Sequence, residues 1–424
     1  MKSIVRCVVS AGLLLALLAG SGQAQTAENW NQWRGPNRDG VYNELQWPES
    51  LAVELLEEKH NIALSPSYSG PIVIGDRVFV TETVNKSDEV VKAIDLNDGS
   101  VIWTTQWKGS MQVPPFAAAN GSWIRATPAY DDGRLYVGGI RDVLVCLDGE
   151  TGNQIWKRDF PAEEGTPLPN FGFVSSPLVD GDFVFVQAGS GLQKLDKKTG
   201  KTVWTSLTDG GGMFGSAFSS PYIATVAGKR QLIVQTRQVL HGADIESGQS
   251  LWSIPVKSFR GMNIVTPTVF EDGVFLSTYG GTSQLLQIAQ NESGNFTVTP
   301  KWSSPIEGYM TSPVIVDGHA YLMLRNQRFA CFDLKTGEPT WRSKPYGKYA
   351  SLIAAGDKIM ALNSRGKLIM FKADPSSFQV LDSRSVASNS WAHLAATKDF
   401  VLVRDLNALK ILRWSDNRKV PSQQ

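Results

Sequence analysis

Short apolar runs of roughly four to eight residues alternate with polar positions along most of this chain, and turn residues close each run. Phe183-Val184-Phe185-Val186, Arg134-Leu135-Tyr136-Val137 and Leu144-Val145-Cys146-Leu147 read as strands, and no helical periodicity competes with them. Asp180-Gly181-Asp182, Asp317-Gly318 and Gly356-Asp357 read as tight turns. A Ser/Thr-Pro pair opens each group of strands: Thr127-Pro128, Ser176-Pro177, Ser220-Pro221, Thr266-Pro267 and Ser312-Pro313. Proline at the start of a strand loses no ladder hydrogen bond.

A nine-residue phrase returns within these groups. Asp148-x-x-Thr151-Gly152 leads to Trp156, Asp196-x-x-Thr199-Gly200 to Trp204, Asp244-x-x-Ser247-Gly248 to Trp252, and Asp333-x-x-Thr336-Gly337 to Trp341. Asp95-x-x-Asp98-Gly99 leads to Trp103 in the same way. The Asp can accept backbone N–H groups inside the turn, the Gly takes a positive φ, and the Trp supplies an apolar plate for the next sheet. These Trp residues are therefore core, not a binding box. A period of roughly 40 to 50 residues with four short strands per unit predicts an all-β, eight-bladed β-propeller of four-stranded antiparallel blades.

First strands are expected to begin near Gly70, Ala126, Ser175, Ser219, Val265, Thr311, Ala350 and Trp391. The last two blades are degenerate, Asp374-Pro375-Ser376-Ser377 replacing the turn in the seventh. The eighth, with strands near Phe400 to Val403 and Ala408 to Leu412, lacks a fourth strand. The apolar run Leu51 to Leu56 is expected to supply it, so that an N-terminal strand closes the ring and leaves no open edge. The expected organisation is a signal peptide at 1–24, an extended segment at 25–49, the propeller at 50–415 and a tail at 416–424.

Charge and composition narrow the partners. Lys and Arg total 41 against 40 Asp and Glu, a net charge of +1, so no global field favours nucleic acid or an anionic membrane. Lys2 and Arg6, the short apolar run Val8 to Leu18, and Gly22-Gln23-Ala24 have the order of a cleaved export signal, and the run is too short to span a membrane. Cys7 precedes that run, which argues against a lipid anchor. The expected location is periplasmic or secreted, as a monomer. Cys146 and Cys331 occupy equivalent strands of distant repeats, so they are expected to be unpaired, buried thiols.

The Asp-x-x-Thr-Gly-to-Trp phrase resembles the tryptophan-docking repeat of pyrroloquinoline quinone (PQQ) enzymes and of the BamB envelope propellers, over nearly all of the chain after the leader. Trp33-Arg34-Gly35-Pro36-Asn37-Arg38-Asp39-Gly40 and Trp391-Ala392-His393-Leu394 also resemble exported PQQ-repeat propellers of planctomycete-type bacteria. The resemblance implies either a quinoprotein dehydrogenase or a scaffold without chemistry, since one fold serves both. The quinoprotein branch would need Ca²⁺ held by carboxylates and an amide, a catalytic Asp and a Trp floor, often with vicinal cysteines. This chain has no vicinal cysteines and no carboxylate and amide placed convincingly for that site. A non-catalytic binding or scaffolding role in the envelope is therefore expected, with no cofactor. The alternative is a PQQ-dependent oxidoreductase using Ca²⁺, and a third reading is a propeller that binds a small ligand or glycan.

In a four-stranded meander, the starts of the first strands and the loops between second and third strands share one face. Those positions carry Arg125, Arg141, Arg237, Arg260, Arg325, Arg328, Arg365 and Arg404, with Trp391 and His393. Phe171, Phe173, Met213, Phe214, Met262, Asn263, Tyr309 and Tyr349 lie on the same segments. Taken singly, these arginines are surface residues in local salt bridges. Taken together, they line a mouth for an envelope protein or an anionic small ligand, because guanidinium suits bidentate anion contact. His60, His241, His319 and His393 are too dispersed to suggest a metal site, and Ser175-Ser176 and Ser219-Ser220 belong to the repeat and lack a nucleophile context.

Overall fold

The computed structural model describes residues 29–209 and 217–415. The expected signal peptide with Cys7, the residues Met213 and Phe214, and the tail 416–424 lie outside the described residues. Within them, eight four-stranded antiparallel sheets follow one another. Blades 1 to 7 occupy 72–108, 129–159, 178–206, 222–255, 268–304, 314–345 and 350–385, and blade 8 begins with 395–414. Strand Leu56–Ala63 pairs antiparallel with Ala408–Trp414 and completes blade 8, which closes the ring as expected.

The closing strand sits further along the chain than its apolar signal suggested. Leu51 to Leu55 form a turn, in which the Leu55 and Leu56 amides both donate to the Ala52 carbonyl at 2.9 Å. The strand itself is mostly polar, because it is the outermost of its blade and exposes one side to water. Leu51 and Leu56 were the visible signal because both are fully buried in the core beneath it. The first strands of blades 2 to 6 start at Ala129, Leu178, Tyr222, Thr268 and Val314, so each Ser/Thr-Pro pair is a lead-in and not part of the strand.

The repeated phrase works as a clasp between neighbouring blades. Asp148 Oδ1 accepts from the Glu150 and Thr151 amides at 3.0 and 2.8 Å and from the Thr151 hydroxyl at 2.9 Å. Asp196 and Asp244 repeat that geometry. The turn glycine then receives the Trp of the preceding blade. A Cβ on Gly152 would lie 2.5 Å from Trp103, one on Gly200 2.7 Å from Trp156, and one on Gly337 2.4 Å from Trp302. The indole N–H completes the clasp: Trp156 donates to the Lys197 carbonyl at 3.1 Å, and Trp302 to the Leu334 carbonyl at 2.8 Å.

At the seam the docking ring is a histidine. A Cβ on Gly99 would meet the His60 ring at 2.9 Å, and His60 Nε2 lies 2.8 Å from the Asn97 carbonyl oxygen. His60 belongs to the closing strand, so the N-terminal strand supplies both the last ladder and the last clasp. Cys146 and Cys331 are free and buried, in blades 2 and 6, and burial pushes their thiols up to about 12 and about 11.

Candidate functional site

The segment ahead of the closing strand packs along the propeller. It crosses the axis and plugs the channel. Trp30 forms an antiparallel bridge with Val73 of blade 1, and Val41 a parallel bridge with Ala354 of blade 7. The Tyr130 amide of blade 2 donates to the Asn31 carbonyl at 2.8 Å. Arg38 reaches blade 3, donating to the Pro177 and Ser176 carbonyls at 2.6 and 3.0 Å, and Arg34 donates to the Pro313 carbonyl of blade 6. Both guanidinium carbons lie 5.4 Å from the Trp33 ring centroid. Trp33, Arg34 and Arg38 are at most 5% exposed. Burial lowers Arg34 to about 10 and Arg38 to about 9, so both remain cations at neutral pH.

Above the plug, on the face that carries the starts of the first strands, lies a cavity of about 210 Å³. Trp33 closes it from below. Its wall takes side chains from every blade: Tyr68, Arg125, Phe171, Phe218, Met262, Met310, Tyr349, Trp391 and His393 among them. Tyr349 stacks on Trp391 at 5.7 Å with an interplanar angle of 10°. Among the described residues, no Asp or Glu lines the cavity. Burial, with the Arg34 charge second, lowers His393 to about 3, so its imidazole is neutral. His393 lies 3.5 Å from both the Tyr349 and Ser351 hydroxyls and edge-on to Trp33 at 5.4 Å, which makes it a positioned wall residue.

The ten residues expected to form one mouth separate into three groups. Arg125, Trp391 and His393 line the cavity. Arg237 and Arg404 are 1% exposed and brace the backbone. Arg237 donates to the Arg260 carbonyl at 2.8 Å beneath Phe218, and Arg404 ties blade 8 to blade 1 through the Ser65 carbonyl. Arg141, Arg260, Arg325 and Arg365 are exposed on separate loops, and Arg328 donates to the Ser343 carbonyl at 2.6 Å within blade 6. The eight arginines therefore do not converge, because residues equivalent along the repeat differ in radius and in the direction they take from the backbone.

What surrounds the cavity is an aromatic rim. Phe116 and Phe259 are 58% and 42% exposed, and the Arg260 guanidinium lies 5.5 and 5.2 Å from their ring centroids. Phe259 packs on Tyr279 at 5.0 Å, Tyr279 on Tyr309 at 5.3 Å, and Arg325 covers Tyr279 at 4.7 Å while paired with Glu307 at 3.0 Å. Phe173 and Asn263, also expected on this face, are buried beneath it. Phe116, Phe218 and Tyr279 were missed. Phe116 is exposed and the other two are half-buried, and the available signal was an aromatic residue in a strand lead-in or in a loop between second and third strands.

The family follows from the repeat. The family model described as outer membrane protein assembly factor BamB matches residues 86–343, more than half of the chain. This chain belongs to that family. Relatives include the BamB of Shewanella oneidensis, 22% identical over 280 residues that cover 65% of this chain and 63% of that protein. The polyvinylalcohol dehydrogenase of a Sphingopyxis species is 28% identical over 196 residues, 43% of this chain and 29% of that protein. The chain thus spans less than a third of that dehydrogenase and less than two thirds of the Shewanella BamB. Among solved structures, BamB from Moraxella catarrhalis matches with a TM-score of 0.62 at 15% identity, over 85% of this chain and 100% of that one. A europium-containing methanol dehydrogenase matches with a TM-score of 0.53 at 14% identity, over 91% of each chain. At these identities the structural likeness is one of fold.

The quinone and its metal can be tested against the residues present. Among the described residues the cavity has an indole floor in Trp33 but no carboxylate in its wall, and no cluster of three or more His, Cys, Asp or Glu could hold a metal ion. A calcium ion bound by carboxylates does not fit this donor set. No helix among the described residues is long and apolar enough to cross a membrane.

Proposed function

We propose that this chain is a non-catalytic binding or scaffolding propeller of the cell envelope, exported by the leader at 1–24 into the periplasm or beyond and acting as a monomer. Its working surface is the face that carries the cavity and the aromatic rim. The observation that carries this reading is the exposed pair Phe116 and Phe259 with Arg260 lying against both rings. Apolar rings interleaved with guanidinium groups suit a protein surface that presents apolar and acidic side chains. The BamB relatives, named as outer membrane assembly factors, agree with a protein partner in the envelope.

Site-specific photo-crosslinking tests it. A photoreactive side chain at Phe259, with the full chain expressed in its own envelope, should give a discrete adduct, and one at Lys198 on the opposite face should not. Adducts of equal yield from both faces, or from neither, would remove the reading. The dehydrogenase alternative has its own test. PQQ with Ca²⁺ should raise the melting temperature no more than PQQ alone, since a cofactor held through its metal stabilises the folded state further when the metal is present. A saturable, Ca²⁺-dependent rise would overturn the assignment.

A further inference from the structure

The Ser/Thr-Pro lead-ins form a belt of hydroxyl groups around the channel. Thr127 Oγ1 accepts the Gly70 amide at 3.0 Å, Ser176 Oγ the Thr127 amide at 3.1 Å, and Ser220 Oγ the Ser176 amide at 2.9 Å. Ser312 Oγ accepts the Thr266 amide at 3.0 Å. In each case a hydroxyl of one blade takes the amide of the blade before it. All four residues are at most 6% exposed and all four line the cavity. Each oxygen is held as an acceptor, so each hydroxyl proton is left to be donated, and none has an acceptor among the described residues. Buried donors of this kind are expected to meet a partner.

The charge around the belt is mostly positive. Arg125 is in the wall and bonds two carbonyls through Nε and Nη2, with no partner at Nη1 among the described residues. Arg34 and Arg38 lie beneath Trp33, and the plug holds one carboxylate against them, Asp39, which already accepts the Val41 amide at 2.8 Å. Arg38 Nε is buried without a hydrogen bond. A positive excess next to unpaired hydroxyl donors, with no acid in the wall, is an environment that lacks an anion.

We propose that the channel cavity binds a small organic anion, a carboxylate on a planar apolar body. The carboxylate takes the hydroxyl protons and the Arg125 guanidinium, and the body packs among Trp33, Phe218 and Trp391. This rests on the reading of this face as a binding face and gives it a ligand chemistry. That chemistry has two sources, a free aromatic acid or the C-terminal carboxylate of a peptide.

Benzoate and its uncharged analogue benzamide are the probes, followed by tryptophan emission and melting temperature in the full chain. Benzoate should saturate at millimolar concentration and bind at least about tenfold more tightly than benzamide, as a charge-assisted bond requires. Arg125→Gln should weaken benzoate by about tenfold or more and benzamide far less. Arg125 makes no belt bond but holds the Gly121 and Trp123 carbonyls, so the ratio of the two affinities in the folded variant, and not its unliganded melting temperature, reads binding. Arg260→Ala with Arg325→Ala should not change benzoate affinity. Equal affinity for both probes, no saturation with either, or loss of benzoate binding in the rim variant would each overturn the proposal. A Gly-Gly-Phe tripeptide with a free, but not an amidated, C-terminus should displace benzoate if the natural source is a peptide end; failure to compete assigns the free acid. If benzoate does not bind while the Phe259 crosslink persists, the anion site falls and the docking face stands.

Discussion

Gly337→Ala separates the clasp between blades from the turn that carries it. Gly337 has φ +80°, and a Cβ there would lie 2.4 Å from Trp302 Cδ2. The left-handed backbone alone costs alanine about 1 kcal/mol. Forcing the indole aside adds about 1–3 kcal/mol of overpacking and endangers its bond to the Leu334 carbonyl. The expected loss is therefore about 2–4 kcal/mol. Gly133 is the control: its φ is +76°, yet no atom lies within 4 Å of its added Cβ, so Gly133→Ala should cost only about 1 kcal/mol. Urea unfolding followed by tryptophan emission measures both. In a Trp302→Ala background, Gly337→Ala should fall to the cost of the control, since the clash partner is gone. If Gly337→Ala costs no more than Gly133→Ala, or costs the same without Trp302, the clasp does not hold the blades in the way described.

Three further outcomes are expected. His60→Ala should loosen the seam and lower stability by about 1–3 kcal/mol, whereas His60→Trp, which restores the ring used at the other clasps, should retain most of it; calorimetry showing the reverse order would sink the role of His60. Burial raises both Glu89 and Asp142 to about 7, from ordinary values of 4.5 and 3.8. The unfolded chain gives up these protons first, so both groups cost stability increasingly as pH climbs from about 4 to 7, and the full cost stands above that. Asp142→Asn can still accept the Gly189 amide, so its melting temperature should gain on the parent across that window; a difference independent of pH would refute the sign. Arg38→Ala should cost about 2 kcal/mol or more by leaving the Ser176 and Pro177 carbonyls unpaired, seen as a lower urea midpoint.

The blades could be read along the chain because their determinants are local. Asp148, Thr151 and Gly152 close their turn within a few residues, and the same chemistry returns at Asp196 and Asp244. The closing strand was legible only through Leu51 and Leu56, the two residues it buries, because Glu57 to Asn61 form a mostly solvent-facing edge with no apolar alternation. The arginines misled for a different reason. Arg237 and Arg141 occupy similar loops between second and third strands, yet one lies under Phe218 and the other faces water. Position in a repeat gives the loop, but not the radius from the axis or the side a long flexible chain takes. Trp33 to Gly40 was visible as a motif and Ser176 and Ser220 as repeat residues. Neither carried any sign that the first fills the channel and the second ring it.

Sequence alone determined the repeat, the blade count, the docking tryptophans and the need for an N-terminal strand at the seam, since each follows from turn chemistry or strand period within one unit. Tertiary structure decided what lies on the axis. There, neighbouring lead-ins bond to one another and the N-terminal segment reaches blades far from it along the chain. The resulting cavity, with its indole floor, hydroxyl belt and excess of guanidinium charge, is a property of ring closure and of no single blade.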